Sequence, residues 1–297
     1  MLSSRPIAVI GASGQLGSDL IRAAAARGVP SLALTHDTVD VTDRASLDRA
    51  LERSGAGTVI NCAAFHQVDR CEEDPERAFL VNAGGARHVA EAARAIGARV
   101  IQVSTDYVFD GARPPGESYT EGDAPRPINV YGATKLAGEE LVRSVDPKCL
   151  IVRVAGLFGQ TGARGKGGSN FVDTISARAL AGATLSVVTD QYVSPTYTVD
   201  AADAIIRLAG GATSGILHVA GGGGACSWYD LATFIVRTIG VNAQVEPTVS
   251  EPPKTGSARR PANTALATDR VAGILGAPLR SWQDAVRAYL DEKAGRI

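Results

Sequence analysis

The sequence predicts an α/β fold, built on a doubly wound parallel sheet and followed by a smaller, irregular C-terminal part. Short β-rich runs alternate with amphipathic helical stretches through the first half of the chain, which is the rhythm of βαβ units. The β-rich runs are continuously apolar, as strands are when helices cover both faces of a parallel sheet. Beyond Gly156 the pattern loosens into Gly-rich and Pro-rich segments.

Each element of the first half follows from its own hydrophobic pattern. Strands are predicted at Ile7–Ile10, 32–34, 59–61, 100–103 and Leu150–Val154. Helices are predicted at 16–27, 45–53, 78–95 and about 131–143. In the second half, helices are predicted at Phe171–Leu180, 201–208, 229–239 and 282–292. A buried strand at 216–219 is expected to return to the main sheet.

Composition excludes several classes of protein. The 297 residues carry 30 Lys plus Arg against 31 Asp plus Glu, a formal charge of -1 that offers no long-range attraction to nucleic acid or anionic lipid. No apolar run is long enough for a signal-peptide core or a membrane span. The four cysteines form no C-x-x-C pair, so no metal site is expected. The cysteines are expected to be reduced thiols. We therefore expect a soluble, cytoplasmic protein.

A glycine-rich turn follows the first strand. Gly11, Gly14 and Gly17 lie in GASGQLG, at the opening of the first helix. Glycine lets the backbone approach a cofactor pyrophosphate, and the helix N-terminus offers free N–H groups to phosphate. This context favours a Rossmann-type dinucleotide-binding domain over 1–155. The remainder, 156–297, is expected to bind mainly substrate, with segments at about 200–220 returning to the Rossmann sheet.

Acidic residues follow the second strand, in THDTVDVTD. One of the early acids among Asp37, Asp40 and Asp43 can accept hydrogen bonds from an adenosine ribose. Thr42 or Asp43 can instead cap the following helix, and both interpretations can hold. No arginine ends that strand, so the sequence leaves NADPH and NADH both open.

The catalytic pattern lies in STDYVFDG and NVYGATK. Tyr131 and Lys135 are four residues apart, so on a helix they share a face, and the ammonium can favour ionisation of the phenol. Thr105 ends the fourth strand, where ligands bind in such sheets. Its hydroxyl can bind the substrate carbonyl oxygen on which Tyr131 would act. An isolated Y-x-x-x-K is more often an ordinary amphipathic pair. Here it accompanies the glycine turn and the Ser-Thr, so the catalytic interpretation is favoured.

These motifs resemble the extended short-chain dehydrogenase/reductase superfamily and, within it, the dTDP-4-dehydrorhamnose reductase family. The similarity covers almost the whole chain. Narrow matches are STDYVF, the DQ-x-x-x-PT of 190–196 and ARRPANTAL at 258–266.

The resemblance implies reduction of a nucleotide-activated 4-keto-6-deoxyhexose by NADPH, with NADH as the open alternative. Catalysis would fall to Thr105, Tyr131 and Lys135, and substrate binding to Thr105, Asp106 and Asn170. The cofactor residues would be Gly11, Gly14, Gln15, Leu16, Gly17, Asp40, Val41, Ala63, Ala64, Phe65, Tyr131 and Lys135. A nucleotide sugar is the expected partner, and a homodimer is left open. Asn82 would either order the cofactor-facing strand ends or serve as a turn or cap residue.

Two departures from the family fall on the sugar side. Gly156 replaces the family's tryptophan, and Val193 replaces a glycine. The sugar pocket is therefore expected either to be wider or to be refilled by Phe158, Tyr192 or Tyr197. The added bulk of Val193 suggests that the opposite wall has shifted inward. The segment at 160–168, rich in glycine and carrying Arg164 and Lys166, is interpreted either as a lid over the substrate diphosphate or as a solvated loop.

Two other functions are considered. A nucleotide-sugar epimerase or dehydratase of the same superfamily would share the layout, but a dehydratase needs two carboxylates where this chain has Asp106 followed by Tyr107. A non-catalytic nucleotide-binding regulatory subunit, like that of methionine adenosyltransferase, would share the fold. Such a subunit has no need of Thr105, Tyr131 and Lys135 together.

Overall fold

The computed structural model describes residues 5–162, 168–253 and 256–295. In chain order, its strands are β1 (Ile7–Ile10), β2 (Ser31–Leu34), β3 (Thr58–Asn61), β4 (Arg99–Thr105), β5 (Leu150–Val154), β6 (Leu157–Phe158), β7 (Leu185–Val188), β8 (Tyr192–Val193), β9 (Thr196–Tyr197), β10 (Gly215–His218), β11 (Cys226–Ser227) and β12 (Val245–Thr248). The predicted main strands are all present.

The helices alternate with these strands. They are α1 (Gln15–Ala26), α2 (Arg44–Ser54), α3 (Val68–Glu73), α4 (Pro75–Phe79), α5 (Gly85–Ala95), α6 (Val130–Val145), α7 (Phe171–Leu180), α8 (Thr198–Ala209), α9 (Trp228–Ile239), α10 (Asp269–Leu275) and α11 (Trp282–Lys293). The prediction of one continuous helix at 78–95 is wrong. A π-helical turn, Leu80–Gly84, interrupts this stretch and joins α4 to α5. A 3₁₀ turn, Asp106–Val108, follows β4.

The main sheet has six parallel strands in the order β10-β5-β4-β3-β1-β2. From β1 the chain moves outward to β2 and then returns to β3 on the other side of β1. In such a sheet ligands bind in the crevice where the order reverses, beyond the carboxyl ends of the strands. The predicted doubly wound α/β fold is confirmed.

Two hydrophobic clusters cover the two faces of the sheet. Ile7 and Val9 of β1 face the layer that contains α1 and α8, whereas Ala8 and Ile10 face the layer of α2, α5 and α6. This alternation follows from the two-residue period of a strand. Burial on both faces explains why the strands read as continuous apolar runs.

The C-terminal part has a third cluster, formed by α7, α9 and α11 around Phe158 and Tyr197. It also contains two-residue strands, which lie below the length that hydrophobic periodicity can detect. Its strand β10 pairs in parallel with β5, with His218 beside Arg153. Within the described ranges, no helix has both the length and the apolar character needed to cross a bilayer.

Candidate active site

One large cavity, of about 640 Å³, opens at the carboxyl ends of β1, β3, β4 and β5. Its wall combines residues from the Rossmann sheet with residues from the C-terminal part. Every predicted site residue lies on this wall: Gly11, Gly14, Gln15, Leu16, Gly17, Asp40, Val41, Ala63, Ala64, Phe65, Thr105, Asp106, Tyr131, Lys135 and Asn170. Their individual roles stay predictions.

The glycine turn forms a cradle made of backbone. Gly11 has φ +77°, and a β-carbon there would lie 2.9 Å from the Ala63 nitrogen. A β-carbon on Gly17 would lie 2.2 Å from the Gly11 oxygen, whereas one on Gly14 would lie 3.2 Å from it. Gly14 is the N-cap of α1. The cradle thus presents free N–H groups at a helix N-terminus, which fits the pyrophosphate of a dinucleotide.

The adenosine end of the cavity carries both signs of charge. Asp40 accepts hydrogen bonds from the Thr42 nitrogen at 2.9 Å and the Thr42 hydroxyl at 2.8 Å. These bonds hold the pKa of Asp40 below its ordinary value, and attraction from His36 and Arg77 adds to the effect. Asp43 caps α2 by accepting from the Ala45 nitrogen at 2.9 Å, as one of the two interpretations predicted.

The π turn positions the end of β3. It carries Asn82, whose side chain accepts from the Phe65 nitrogen at 2.8 Å and donates to the Phe65 carbonyl at 3.0 Å. Its amide also donates to the Thr134 hydroxyl of α6 at 3.0 Å. Asn82 is buried, and its bonds hold the segment after β3 against α6. This agrees with the first of the two roles considered for it.

Close backbone contact aligns α6 with β4. A β-carbon on Gly132 would lie 2.1 Å from the Tyr107 oxygen, so only glycine allows the helix to approach the 3₁₀ turn this closely. The Asn129 side chain fixes the start of α6 by accepting from the Gly132 nitrogen at 2.8 Å. As a result Tyr131 packs edge-on to Tyr107, with ring centroids 5.9 Å apart, and faces the cavity beside Thr105.

Burial dominates the electrostatics of both Tyr131 and Lys135. Burial raises the pKa of Tyr131, and the neighbouring Thr105 hydroxyl opposes that rise. Lys135 Nζ donates to the Val103 carbonyl at 2.8 Å. Burial lowers the pKa of Lys135 to about 8, and Glu139 opposes that shift. A buried ammonium needs an acceptor, and the end of β4 supplies one.

Asp106 is a buried carboxyl group in the centre of the site. Its Oδ1 accepts from the Thr105 hydroxyl at 2.9 Å. Burial raises the pKa of Asp106 to about 6, and hydrogen bonds with Thr264 and Thr105 oppose the rise. The Thr105 hydroxyl also accepts from the Tyr107 nitrogen at 3.2 Å. Asp106, Thr105 and Tyr131 therefore adjoin one another on the cavity wall.

Asn170 reaches the cavity wall with its side chain already engaged by the protein. Its amide donates to the Gly159 carbonyl at 3.1 Å and to the Tyr289 hydroxyl at 2.9 Å. Its Oδ1 accepts from the Asp173 nitrogen at 3.0 Å and caps α7. Its backbone carbonyl likewise accepts from the Thr174 hydroxyl at 2.9 Å and the Thr174 nitrogen at 3.0 Å, so both the side chain and the carbonyl of Asn170 are engaged within the protein.

The two departures on the sugar side contact each other. Gly156 has φ +51°, and a β-carbon there would lie 2.9 Å from Val193 Cγ2. Phe158 and Tyr197, two of the residues expected to fill the gap, stack on each other 5.5 Å apart in the C-terminal core. A methyl group of Val193 lies against Gly156, and Tyr192 and Phe158 both line the cavity.

Two further expectations concern the rim and metal binding. Arg164 and Lys166 of the 160–168 segment lie outside the described residues, so the lid interpretation stays a prediction. Among the residues that are described, no group of three or more His, Cys, Asp or Glu side chains is arranged to hold a metal ion.

Comparison with known proteins identifies the family. The model of the RmlD substrate binding domain family matches residues 5–294. The chain belongs to this family. An RmlD relative, the dTDP-4-dehydrorhamnose reductase of Mycolicibacterium smegmatis, is 40% identical over 284 residues, which span 95% of this chain and 84% of the relative. The dTDP-4-keto-6-deoxy-D-glucose reductase of Streptomyces niveus is 38% identical, over 94% of each protein.

A solved structure shares the RmlD architecture. The dTDP-4-dehydrorhamnose reductase of Bacillus anthracis, solved in complex with NADP, superimposes with a TM-score of 0.89 at 31% identity. The match covers 98% of this chain and 99% of that structure. The resemblance read from the motifs is therefore confirmed at the level of the family.

Several cavity residues of this RmlD family member were not singled out from the sequence. Arg77 comes from α4, within the 60–83 stretch that resembles the family, and the fold carries it close to Asp40. Trp228 and Phe171 pack 4.5 Å apart on the wall, and each looks like ordinary core in the sequence. Thr264 lies inside the ARRPANTAL match, which was the one available signal.

Proposed function

We propose that this protein reduces the 4-keto group of a nucleotide-activated 6-deoxyhexose, dTDP-4-dehydro-L-rhamnose or a close analogue, with NADPH as reductant. The observation that carries the proposal is the convergence of Thr105, Tyr131 and Lys135 on the cavity that the glycine turn enters. The names of the two relatives, both reductases of dTDP-linked keto sugars, support the substrate class.

NADPH supplies the hydride when bound. The residues of the chain do the rest: Tyr131 donates its proton to the sugar C4 oxygen, and Thr105 polarises the same carbonyl by a hydrogen bond. Lys135 binds the nicotinamide ribose and favours the ionised product of Tyr131. Asp106, beside Thr105, contacts the sugar.

The adenosine end supports NADPH over NADH. Arg77 lies on the cavity wall with its guanidinium carbon 5.6 Å from the centroid of the Phe65 ring. His36 lies on the same wall, and both residues act on Asp40. A guanidinium is well suited to bind a 2′-phosphate. The structure of the Bacillus anthracis relative, which holds NADP, agrees with this choice.

The two parts of the chain would divide the work. Residues 1–155 would hold the cofactor, and 156–297 would mainly hold the nucleotide sugar, apart from the segment near 200–220 that pairs with the main sheet. The cysteines Cys62, Cys71, Cys149 and Cys226 are all unpaired, which suits the proposed cytoplasmic location.

The test is steady oxidation of NADPH by purified protein supplied with dTDP-4-dehydrorhamnose, with NMR identification of the 4-hydroxyl product. Tyr131→Phe should lower turnover on the order of 10²- to 10⁴-fold and leave cofactor affinity little changed. Tyr229→Phe, on α9 and away from the cavity wall, is the matched control and should keep full turnover.

Other outcomes would reject the proposal. An epimerised or dehydrated product without net NADPH consumption would identify the epimerase or dehydratase alternative. Binding of NADPH without turnover of any 4-keto sugar nucleotide would favour the regulatory-subunit alternative. Near-normal turnover of Tyr131→Phe would show that another group donates the proton.

A further inference from the structure

A buried ion pair lies directly behind the catalytic residues. Arg153 of β5 donates to Glu139 of α6 through two bonds, Nε to Oε1 at 3.0 Å and Nη2 to Oε2 at 2.7 Å. The two side chains are 1% and 0% exposed. The Ser104 hydroxyl also donates to Glu139 Oε1. Removing two charges from water costs free energy, and well-packed apolar residues of similar volume often stabilise a fold at least equally. The pair therefore calls for an explanation other than stability.

The ion pair lies on the same helix face and the same neighbouring strands as the catalytic groups. Tyr131, Lys135 and Glu139 are spaced by four residues along α6, so all three lie on one face of the helix. Ser104 immediately precedes Thr105 on β4 and is paired across the sheet with Arg153. The carboxylate therefore lies one helical turn behind Lys135 and one strand residue behind Thr105.

Lys135 is poorly placed to remain charged without help. It is 4% exposed, and its ammonium group donates to one backbone carbonyl, that of Val103. Burial lowers the pKa of Lys135 to about 8, against which Glu139 and Cys62 act. Burial also raises the pKa of the Cys62 thiol to about 12, so that thiol is neutral at physiological pH. Glu139, which is ion-paired with Arg153, is the other acidic group that acts on Lys135.

We infer that Glu139, clamped by Arg153 and Ser104, is a positioning residue that keeps Lys135 in its ammonium form at the cavity wall. The bidentate clamp fixes the carboxylate one helical turn from Lys135, so its position relative to the ammonium group does not vary. The importance of a charged Lys135 rests on the proposed function, but the charge itself can be measured without any turnover.

The test is a titration of Lys135 in the cofactor-free protein by NMR of lysine labelled with ¹³C at the ε position. The chain has only five lysines, and Lys135→Met assigns the resonance. Glu139→Gln should lower the titration midpoint of Lys135 by about one pH unit or more, because it removes the nearby opposite charge. The alkaline limb of the turnover profile should move to lower pH by a similar amount.

A matched control tests whether the effect depends on the position of the carboxylate on α6 or only on the loss of a negative charge. Glu140→Gln removes the same charge from the next residue of α6, which is exposed and paired with Arg143 at 2.8 Å. It should leave both the Lys135 midpoint and the turnover profile unchanged. A shift of equal size in Glu140→Gln would overturn the inference, since any helix carboxylate would then suffice.

A second variant guards against failure to fold. Glu139→Gln leaves Arg153 buried and unpaired, whereas Glu139→Gln combined with Arg153→Met leaves no unpaired buried charge. The double variant should fold and still show a lowered Lys135 midpoint. An unchanged midpoint in the folded double variant would mean that the pair only anchors α6 to the sheet. A lowered midpoint in a protein that turns over no 4-keto sugar would reject the proposed function and leave the inference standing.

Discussion

Val193 holds a methyl carbon 2.9 Å from the point where a β-carbon on Gly156 would lie. The two positions at which the chain departs from its family thus form one contact on the wall of the cavity. The sequence left a wider pocket and a refilled pocket as alternatives. This contact favours the refilled alternative at this point of the wall, because a methyl group of Val193 lies where a side chain at position 156 would begin.

We predict that Val193 sets the selectivity for the sugar. The wild type should prefer one 4-keto sugar nucleotide strongly, and Val193→Ala should weaken that preference by about 1–3 kcal/mol, the range of a lost apolar contact. The measurement is kcat/KM over a panel of 4-keto sugar nucleotides. Gly156→Trp should be inactive with or without Val193→Gly, because the left-handed φ and the close contacts with the backbone of Ser194 and Pro195 remain in both variants. A panel unaffected by Val193→Ala would return the pocket to the wider alternative.

We predict that Gly14 is required for cofactor binding before it is required for folding. A β-carbon on Gly14 meets the Gly11 oxygen at 3.2 Å, a distance that a small backbone adjustment relieves. Gly14→Val should therefore fold, while its branched side chain blocks approach of the pyrophosphate. Titration of the folded variant with NADPH is the measurement, and unaltered affinity would contradict the prediction. Gly17→Val, with its contact of 2.2 Å, is the contrast and should unfold.

We predict that Asp106 lowers stability at neutral pH. Burial raises its pKa from 3.8 to about 6, so the folded state favours the protonated form. The stability linked to this group is complete below pH 3.8 and is lost as the pH rises through about 6. Asp106→Asn should thus exceed the wild type in unfolding free energy by on the order of 3 kcal/mol at pH 7.

Urea unfolding of both proteins across that pH window provides the measurement for Asp106. The advantage of Asp106→Asn should disappear below pH 4, where both side chains are neutral. Turnover should fall in the same variant, because the carboxylate beside Thr105 is lost. A constant difference in stability from pH 4 to pH 7 would rule out burial of the charge as the cause.

We predict that Arg77 selects for the 2′-phosphate. Arg77→Ala should weaken NADPH affinity about ten- to hundredfold, as loss of a charge-assisted contact does, and leave NADH affinity unchanged. Arg70→Ala is the matched control, since Arg70 also lies over the Phe65 ring, at 5.7 Å, but does not line the cavity. Fluorescence titration with each cofactor gives the affinities. An equal loss of affinity for NADPH and NADH would show that Arg77 stacks on the adenine ring and does not recognise the 2′-phosphate.

The strands and the glycine turn were predictable because their signals are local. β1 and β5 match their predicted bounds, since continuous burial imposes an apolar run on the sequence. The helix predicted at 78–95 missed the π turn, because a change in backbone pairing leaves little compositional trace. Asn82 was noticed, but its bonds to Phe65 and Thr134 depend on that turn.

The electrostatics of the site were less predictable because they depend on long-range contacts. The spacing of Tyr131 and Lys135 placed both on one helix face, as expected. Whether the ammonium meets the phenol depends on which acceptor the sheet offers, and Val103 offers one. The clamp of Arg153 on Glu139 likewise joins residues that no short motif contains.

Strand β10 ties the two parts of the molecule into a single sheet. It comes from the C-terminal part and covers the outer edge of β5, which would otherwise present unpaired backbone to solvent. A fragment ending at residue 155 would expose that edge and so invite association with other chains. The C-terminal part therefore cannot be exchanged on its own, because any replacement must also supply a strand that pairs in parallel with β5. Under the proposed function, a change in sugar selectivity would have to come from side-chain changes on a fixed frame, as predicted for Val193.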